Sequence, residues 1–191
     1  MNDVFRILVI CSGNRCRSPF AESYLSRALA GLPVEVSSAG TLDIGPADVP
    51  TEMATIATSL GLDLSEHRAR SLVSIKGTAV DLVLGMERNH VAAAVVDGGM
   101  PADKTFSLAE LVRLLDPPPT VASPDPAIRA RTTVAEAAAR RSRDRMFVAD
   151  EDVPDPFGRS KKTYKQVATR VADLCAEVVW ALFGIASTPV A

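Results

Sequence analysis

The sequence predicts an α/β fold of three layers, α/β/α, built on a four-stranded parallel sheet. Two patterns carry that expectation. Short apolar runs rich in β-branched residues alternate with helix-length amphipathic stretches, an order that places helices on both faces of a parallel sheet. The first run, VFRILVI at 4–10, is apolar almost without interruption, as suits a strand covered on both sides. A chain of 191 residues is long enough to bury one sizeable core, so one domain spanning 1–191 is expected.

The elements follow in order. After the first strand, FAESYLSRALAG repeats apolar residues at Phe20, Tyr24, Leu25, Ala28 and Leu29, and Gly31 is placed to end it. This predicts a helix with Ser18 as N-cap and Pro19 at its first position. VEVSSAG (34–40) reads as a second strand, 51–61 as a helix closed by Gly61, and 79–86 as a third strand. Residues 87–96 suit a helix, 104–108 a short fourth strand and 108–115 another helix. The proline-rich stretch 116–127 reads as a loop. The following segment carries six arginines between 127 and 146 and little apolar periodicity, so an exposed helix with a solvated basic face is expected. An acidic, turn-rich loop at 150–158 leads into a long amphipathic closing helix, 162–184.

Composition excludes several function classes. A formal net charge of −2 offers no global attraction to nucleic acid or an anionic membrane, so neither is expected as a partner. The start, Met1-Asn2-Asp3, lacks a basic leader, and the apolar stretch 178–186, interrupted by Gly184, falls short of the roughly 20 residues of a membrane span. Three cysteines suit thiols kept reduced, and hence a cytoplasmic location. With only His67 and His90 in the chain, no metal cluster is suggested, and no cofactor is expected. The oligomeric state is left open.

The chemistry concentrates in VICSGNRCRSP, 9–19. Cys11 closes the first strand and Arg17 precedes the first helix, so residues 12–16 form the turn between them. Such a turn aims successive backbone N–H groups at one spot, and the helix dipole adds partial positive charge there. The turn is therefore an anion cradle. Gly13 and Asn14 suit the positive φ angles that a curled loop requires. A thiol at a helix N-terminus beside cations ionises more readily than a free one, which makes Cys11 a candidate nucleophile. The planar fork of Arg17 matches two oxygens of a tetrahedral phosphate, and the Ser18 hydroxyl is placed to donate to the thiolate.

The string Cys11 to Pro19 resembles the signature of the low-molecular-weight protein tyrosine phosphatase family, Cys-x-Gly-Asn-x-Cys-Arg-Ser-Pro. SSAGT (37–41), LDLSEHRARSL (62–72), DLVLGMERNHV (81–91) and DPFG (155–158) are similar to successive segments of that family. The resemblance implies its phosphotyrosine phosphatase I-like fold, with about 117–149 as a helical insertion. It implies a phosphate-binding loop of Ser12, Gly13, Asn14, Arg15, Cys16 and Ser18, supported by His67 through Asn14. It further implies that Asp155, in the one Asp-Pro pair followed by an aromatic, is the general acid, and that Cys16 can form a reversible disulfide with the nucleophile.

Two departures bear on substrate. Arg15 stands where the family often carries an aliphatic or threonine residue, and TLDIGPAD replaces a segment where an aromatic is common. Ile44 is then the nearest candidate wall, and Phe157 the one clear aromatic beside the site. The expected activity is a cysteine-dependent phosphomonoesterase acting on phosphotyrosine in a phosphorylated protein. Phosphoarginine or a small phosphomonoester, thiol-dependent arsenate reduction and a non-hydrolytic phosphocarrier are the alternatives. The insertion, basic and just before the acid loop, is a candidate lid or docking arm.

Overall fold

The run Phe5–Cys11 forms β1 near the middle of a four-stranded sheet, flanked by β2 (Val34–Gly40) and β3 (Leu82–Gly85), with β4 (Thr105–Ser107) at the far edge. All pairs are parallel, in the order β2-β1-β3-β4. A computed structural model of the chain describes residues 4–75, 79–143 and 152–186. Alternation along β1 divides the core. Phe5, Ile7, Val9 and Cys11 enter a large apolar cluster on one face, while Leu8 and Ile10 enter a smaller one on the other.

The large cluster is covered by α1 (Arg17–Ala28), α4 (Leu108–Leu114), α5 (Pro126–Arg143) and α6 (Lys161–Phe183), and α2 (Thr51–Ser59) packs against α6. The small cluster is covered by α3 (Arg88–Val96) and a 3-10 turn, Leu72–Ile75. The closing helix does most of the covering, because Tyr164, Val167, Val171, Cys175, Val178 and Leu182 recur at helical spacing and are buried. Each such aliphatic side chain contributes about 1.5–3 kcal/mol relative to exposure. Ser160 caps the start of α6 by accepting from the Thr163 N–H, and Gly184, at φ 69°, ends it in the left-handed region.

In-register pairing of Cys11 with Gly40 and of Ile10 with Gly85 brings the loops after β1, β2 and β3 to one edge of the sheet. That edge holds the site.

Several expectations need correction. The first helix starts at Arg17 with Cys16 as its N-cap, so Ser18 lies inside the first turn and caps nothing. β3 begins at Leu82 rather than 79, β4 is shortened to Thr105–Ser107, and the 3-10 turn at Leu72 was not foreseen.

The basic segment is not a solvated helix: Ala127, Ala130, Val134 and Ala137 of α5 are buried, small residues forming a narrow stripe that hydropathy periodicity underweights. Arg131 and Arg141 are structural. Arg131 grips Asp81 through Nε and Nη2, at 2.9 and 3.1 Å, and donates to the Val4 carbonyl. Arg141 pairs with Glu110 and donates to the Ala102 and Thr105 carbonyls, its guanidinium 3.9 Å from the Phe106 ring centroid. Arg145 and the rest of 144–151 lie outside the described residues. These contacts fall at the amino-terminal ends of β1, β3 and β4, opposite the edge bearing Cys11, so α5 does not cover the site as a lid.

Candidate active site

The turn from β1 to α1 is held in shape by Asn14. Its φ of 49° puts it in the left-handed region, which asparagine tolerates better than most residues, and it is fully buried. Gly13, expected to share that conformation, does not. The Asn14 side chain donates from Nδ2 to Ser18 Oγ (2.9 Å) and Ser38 Oγ (2.7 Å) and accepts from the Arg70 N–H (3.0 Å). Its carbonyl accepts from His67 Nε2 at 2.8 Å. Thus α1, β2 and the segment around 67–70 are tied to one residue of the turn. Gly40 presses from the other side: a Cβ there would meet the Ser12 carbonyl at 2.8 Å and the Asn14 nitrogen at 3.0 Å.

The curl delivers the loop to the start of α1, where the N-cap residue Cys16 makes no side-chain cap to the first amides. Those first-turn N–H groups have no intrahelical acceptor, so they are available to an anion. Cys11, 2% exposed, sits at the floor with Sγ 3.0 Å from Ser18 Oγ. Since Ser18 Oγ already accepts from Asn14, its own proton is free to point at the sulfur.

Arg17 is 1% exposed and surrounded by oxygen. Its Nη1 donates to Glu87 Oε1 and to the Val153 carbonyl (2.8 Å), and its Nη2 lies 2.9 Å from Asp155 Oδ2 and 3.3 Å from Ser12 Oγ. Its Nε is buried and has no hydrogen-bond partner among the described residues. Glu87 and His90 escaped the sequence reading as site residues, although both lie in the segment ERNHV that drew attention. His90 Nδ1 accepts from the Glu87 N–H at 3.0 Å, which leaves Nε2 to donate to Ser12 Oγ, also at 3.0 Å. Burial above all, and then the Arg17 charge, push the His90 pKa down to about 4, so the ring is neutral at pH 7.

Asp155 arrives on the segment after 151. The chain re-enters at Val153, whose N–H donates to the Met86 carbonyl just beyond β3 (2.8 Å) and whose own carbonyl accepts from Arg17. Cys11, Ser12, Gly13, Arg15, Cys16 and Asp155 line a single cavity of about 350 Å³, whose walls are Leu42, Ile44, Ala47 and Phe157. Of the walls, Ile44 and Phe157 were anticipated, while Leu42 and Ala47 were not. Cys16 is buried and unbridged, and burial, reinforced by the neighbouring Cys11, pushes its thiol up to about 12. Among the described residues, no group of three or more His, Cys, Asp or Glu side chains is placed to hold a metal ion, and no helix is long and apolar enough to cross a membrane.

Comparison with known proteins agrees with this geometry. The probable low molecular weight protein-tyrosine-phosphatase EpsP of Ralstonia solanacearum is 44% identical over 80 residues, covering 42% of this chain and 54% of that protein. The low molecular weight protein-tyrosine-phosphatase Etp of Escherichia coli (strain K12) is 38% identical over 86 residues, 45% of this chain and 57% of its own. The chain therefore spans about half the length of the curated relatives it matches. Solved structures extend the likeness. A low molecular weight protein tyrosine phosphatase from T. tengcongensis superposes with a TM-score of 0.66 at 28% identity, over 92% of this chain and 97% of that one. The YwlE arginine phosphatase from Geobacillus stearothermophilus shares the fold, with a TM-score of 0.63 at 24% identity over 91% and 90% of the two chains. Because residues 6–126, including the whole cradle, match the family model described as low molecular weight phosphotyrosine protein phosphatase, the chain belongs to that family.

Proposed function

We propose that this chain is a phosphomonoesterase that works through a cysteinyl-phosphate, with a phosphotyrosyl protein as its substrate class. One observation carries the reading: the buried Arg17 guanidinium keeps an Nε–H with no hydrogen-bond partner among the described residues, beside a helix start whose N-cap residue, Cys16, makes no side-chain cap. Open donors of that kind, gathered around a thiol, fit a tetrahedral oxyanion.

The chemistry follows from the positions. The Cys11 sulfur attacks phosphorus in line, forming the S–P bond as the P–O bond to the leaving group breaks. Arg17 and the first amides of α1 hold the three non-bridging oxygens, with the oxyanion taking over the donors that now face Asp155. Asp155 gives its proton to the departing phenolate, then takes one from the water that attacks phosphorus and releases phosphate. The Ser18 O–H, 3.0 Å from Sγ, stabilises the thiolate as it leaves. In these roles Ser12, Gly13, Asn14 and Cys16 shape the cradle, and His67 braces it through the Asn14 carbonyl. The apolar walls Leu42 and Ile44 and the half-exposed ring of Phe157 suit a phenyl group. We further read 1–191 as one domain acting in the cytoplasm, where a reduced Cys11 persists.

The test uses the purified chain with EDTA present. It is expected to release phosphate from p-nitrophenyl phosphate, and Asp155→Asn to lower turnover of an unactivated aryl ester by about 10² to 10⁴. Full activity in Cys11→Ser would refute the proposal.

A further inference from the structure

Among the described residues, Arg15 is the one basic residue that lines the cavity, and the catalytic scheme leaves it unused. Its position is fixed from two sides. Nε donates to the Asp48 carbonyl at 2.8 Å, on the segment that supplies Ile44 and Ala47, and the guanidinium carbon stands 5.0 Å from the centroid of the Phe157 ring, on the acid-loop side. A cation held over an aromatic face keeps its charge and loses freedom, so its location in the mouth is defined.

Among the described residues no carboxylate forms an ion pair with it. The Asp48 carboxylate is directed to Arg68, with Oδ1 3.2 Å from Arg68 Nε, and the Asp155 carboxylate is directed to Arg17. Neither is paired with Arg15. Among the described residues no hydrogen bond holds the two terminal amino groups of Arg15, which lines the cavity with Ile44 and Phe157, so its fork of donors is available to a ligand there.

We propose that Arg15 is a specificity-determining residue that selects aryl phosphates bearing a second negative group, a carboxylate just beyond the ring, and disfavours leaving groups that are themselves guanidines. This rests on the phosphatase reading above and names its substrate class more narrowly. The same slot that accepts a phenyl ring between Ile44 and Phe157 puts whatever follows the ring beside the Arg15 guanidinium. A carboxylate there gains a charge-assisted, two-pronged contact. The guanidinium of phosphoarginine is bonded directly to phosphorus, so it would fill the slot itself, with the like charge of Arg15 on the cavity lining and no second anion to answer it; this chain and the arginine phosphatases that share its fold are therefore expected to part in substrate choice.

The contact is near the surface, so its effect is modest. An exposed pair of this kind corresponds to about a fivefold preference in kcat/KM, reduced by salt. The experiment measures kcat/KM on two matched pairs: phenyl phosphate against 4-carboxyphenyl phosphate, and a phosphotyrosyl peptide with flanking Gln against the same peptide with flanking Glu. Wild type is expected to favour the acidic member by about fivefold at low ionic strength and by less than twofold in 0.5 M NaCl. Arg15→Lys should retain part of the ratio, Arg15→Gln bring it to about one, and Arg15→Glu invert it.

A preference in the peptide pair points to an acidic protein segment as the source of the second charge, and a preference confined to the small pair points to a carboxylated metabolite. Either supports the selection. Equal turnover within both pairs by wild type, or an unchanged ratio in Arg15→Gln, overturns it, as does phosphoarginine hydrolysis as fast as that of the acidic aryl ester. Failure to hydrolyse any aryl phosphate would instead sink the phosphatase reading. Should Arg15→Gln not fold, the wild-type ratio and its salt dependence still decide.

Discussion

Replacing Asn14 with alanine removes more than a side chain. Two hydrogen bonds donated by Nδ2 and one accepted by Oδ1 disappear from a residue with no exposed surface, and their partners, Ser18, Ser38 and the Arg70 N–H, lose them inside the protein. Each loss costs about 1 kcal/mol, more where the orphaned partner stays dry. Alanine at a φ of 49° adds about 1 kcal/mol of backbone strain that asparagine largely avoids. The expected loss is therefore about 4 kcal/mol, a large share of the roughly 5–15 kcal/mol that holds a domain together. Urea unfolding followed by circular dichroism should show the midpoint lowered by about 2 M. Asn14→Gly supplies an internal control, because glycine lacks the same hydrogen bonds but accepts the left-handed region, and it should be about 1 kcal/mol more stable than the alanine variant. An alanine variant within about 1 kcal/mol of wild type, or a glycine variant below the alanine one, would show that the turn is held by something other than Asn14.

Gly40→Ala forces a methyl group against backbone on three sides, at 2.8 to 3.1 Å, so the cradle must shift; kcat/KM on an aryl phosphate should drop at least about tenfold, and unaltered kinetics would refute the close approach. His90 has a folded pKa near 4 against an ordinary 6.5, chiefly through burial and then the Arg17 charge. Below pH 6.5 the unfolded chain binds the proton and the folded one does not, so this contribution is complete above about pH 6.5 and is lost as pH falls towards 4. Unfolding free energies at pH 7, 5.5 and 4 should decline by up to about 3 kcal/mol more in wild type than in His90→Gln, and parallel curves would contradict the assignment. Asp81→Asn breaks the two-pronged grip of Arg131 on the sheet; although burial works against it, the bonds from Arg131 and the Arg6 N–H hold the Asp81 carboxyl below its ordinary 3.8. That variant should lose about 1–3 kcal/mol and show faster amide exchange across 126–143, with aryl phosphatase activity within about twofold of wild type, whereas unchanged exchange would mean the pair does not anchor the helix.

The order of strands and helices was legible because each strand is a short apolar run and each helix carries a periodic face, as in Phe5–Cys11 and Lys161–Phe183. The cradle was legible because its residues are contiguous in sequence. What lies across the fold from it was not. Glu87 and His90 meet Arg17 and Ser12 only because β3 lies beside β1, a juxtaposition that no local pattern announces. Gly40 looked like a strand end, and its necessity comes from the pressure of the loop above it. The misreading of α5 has a different origin: a face of alanines contributes little hydropathy signal, and arginines that bond inward to Asp81, Glu110 and main-chain carbonyls look in sequence like those that face water.

The backbone of Val153 has a consequence for how such a protein can vary. Its N–H is pinned to Met86 and its carbonyl to Arg17, two residues ahead of Asp155. Because that stitch lies so near Asp155, the carboxylate is registered against the sheet by its own segment. Upstream variation in length is therefore expected to leave Asp155 facing Arg17 so long as α5 keeps its buried stripe and its grip on Asp81 and Glu110.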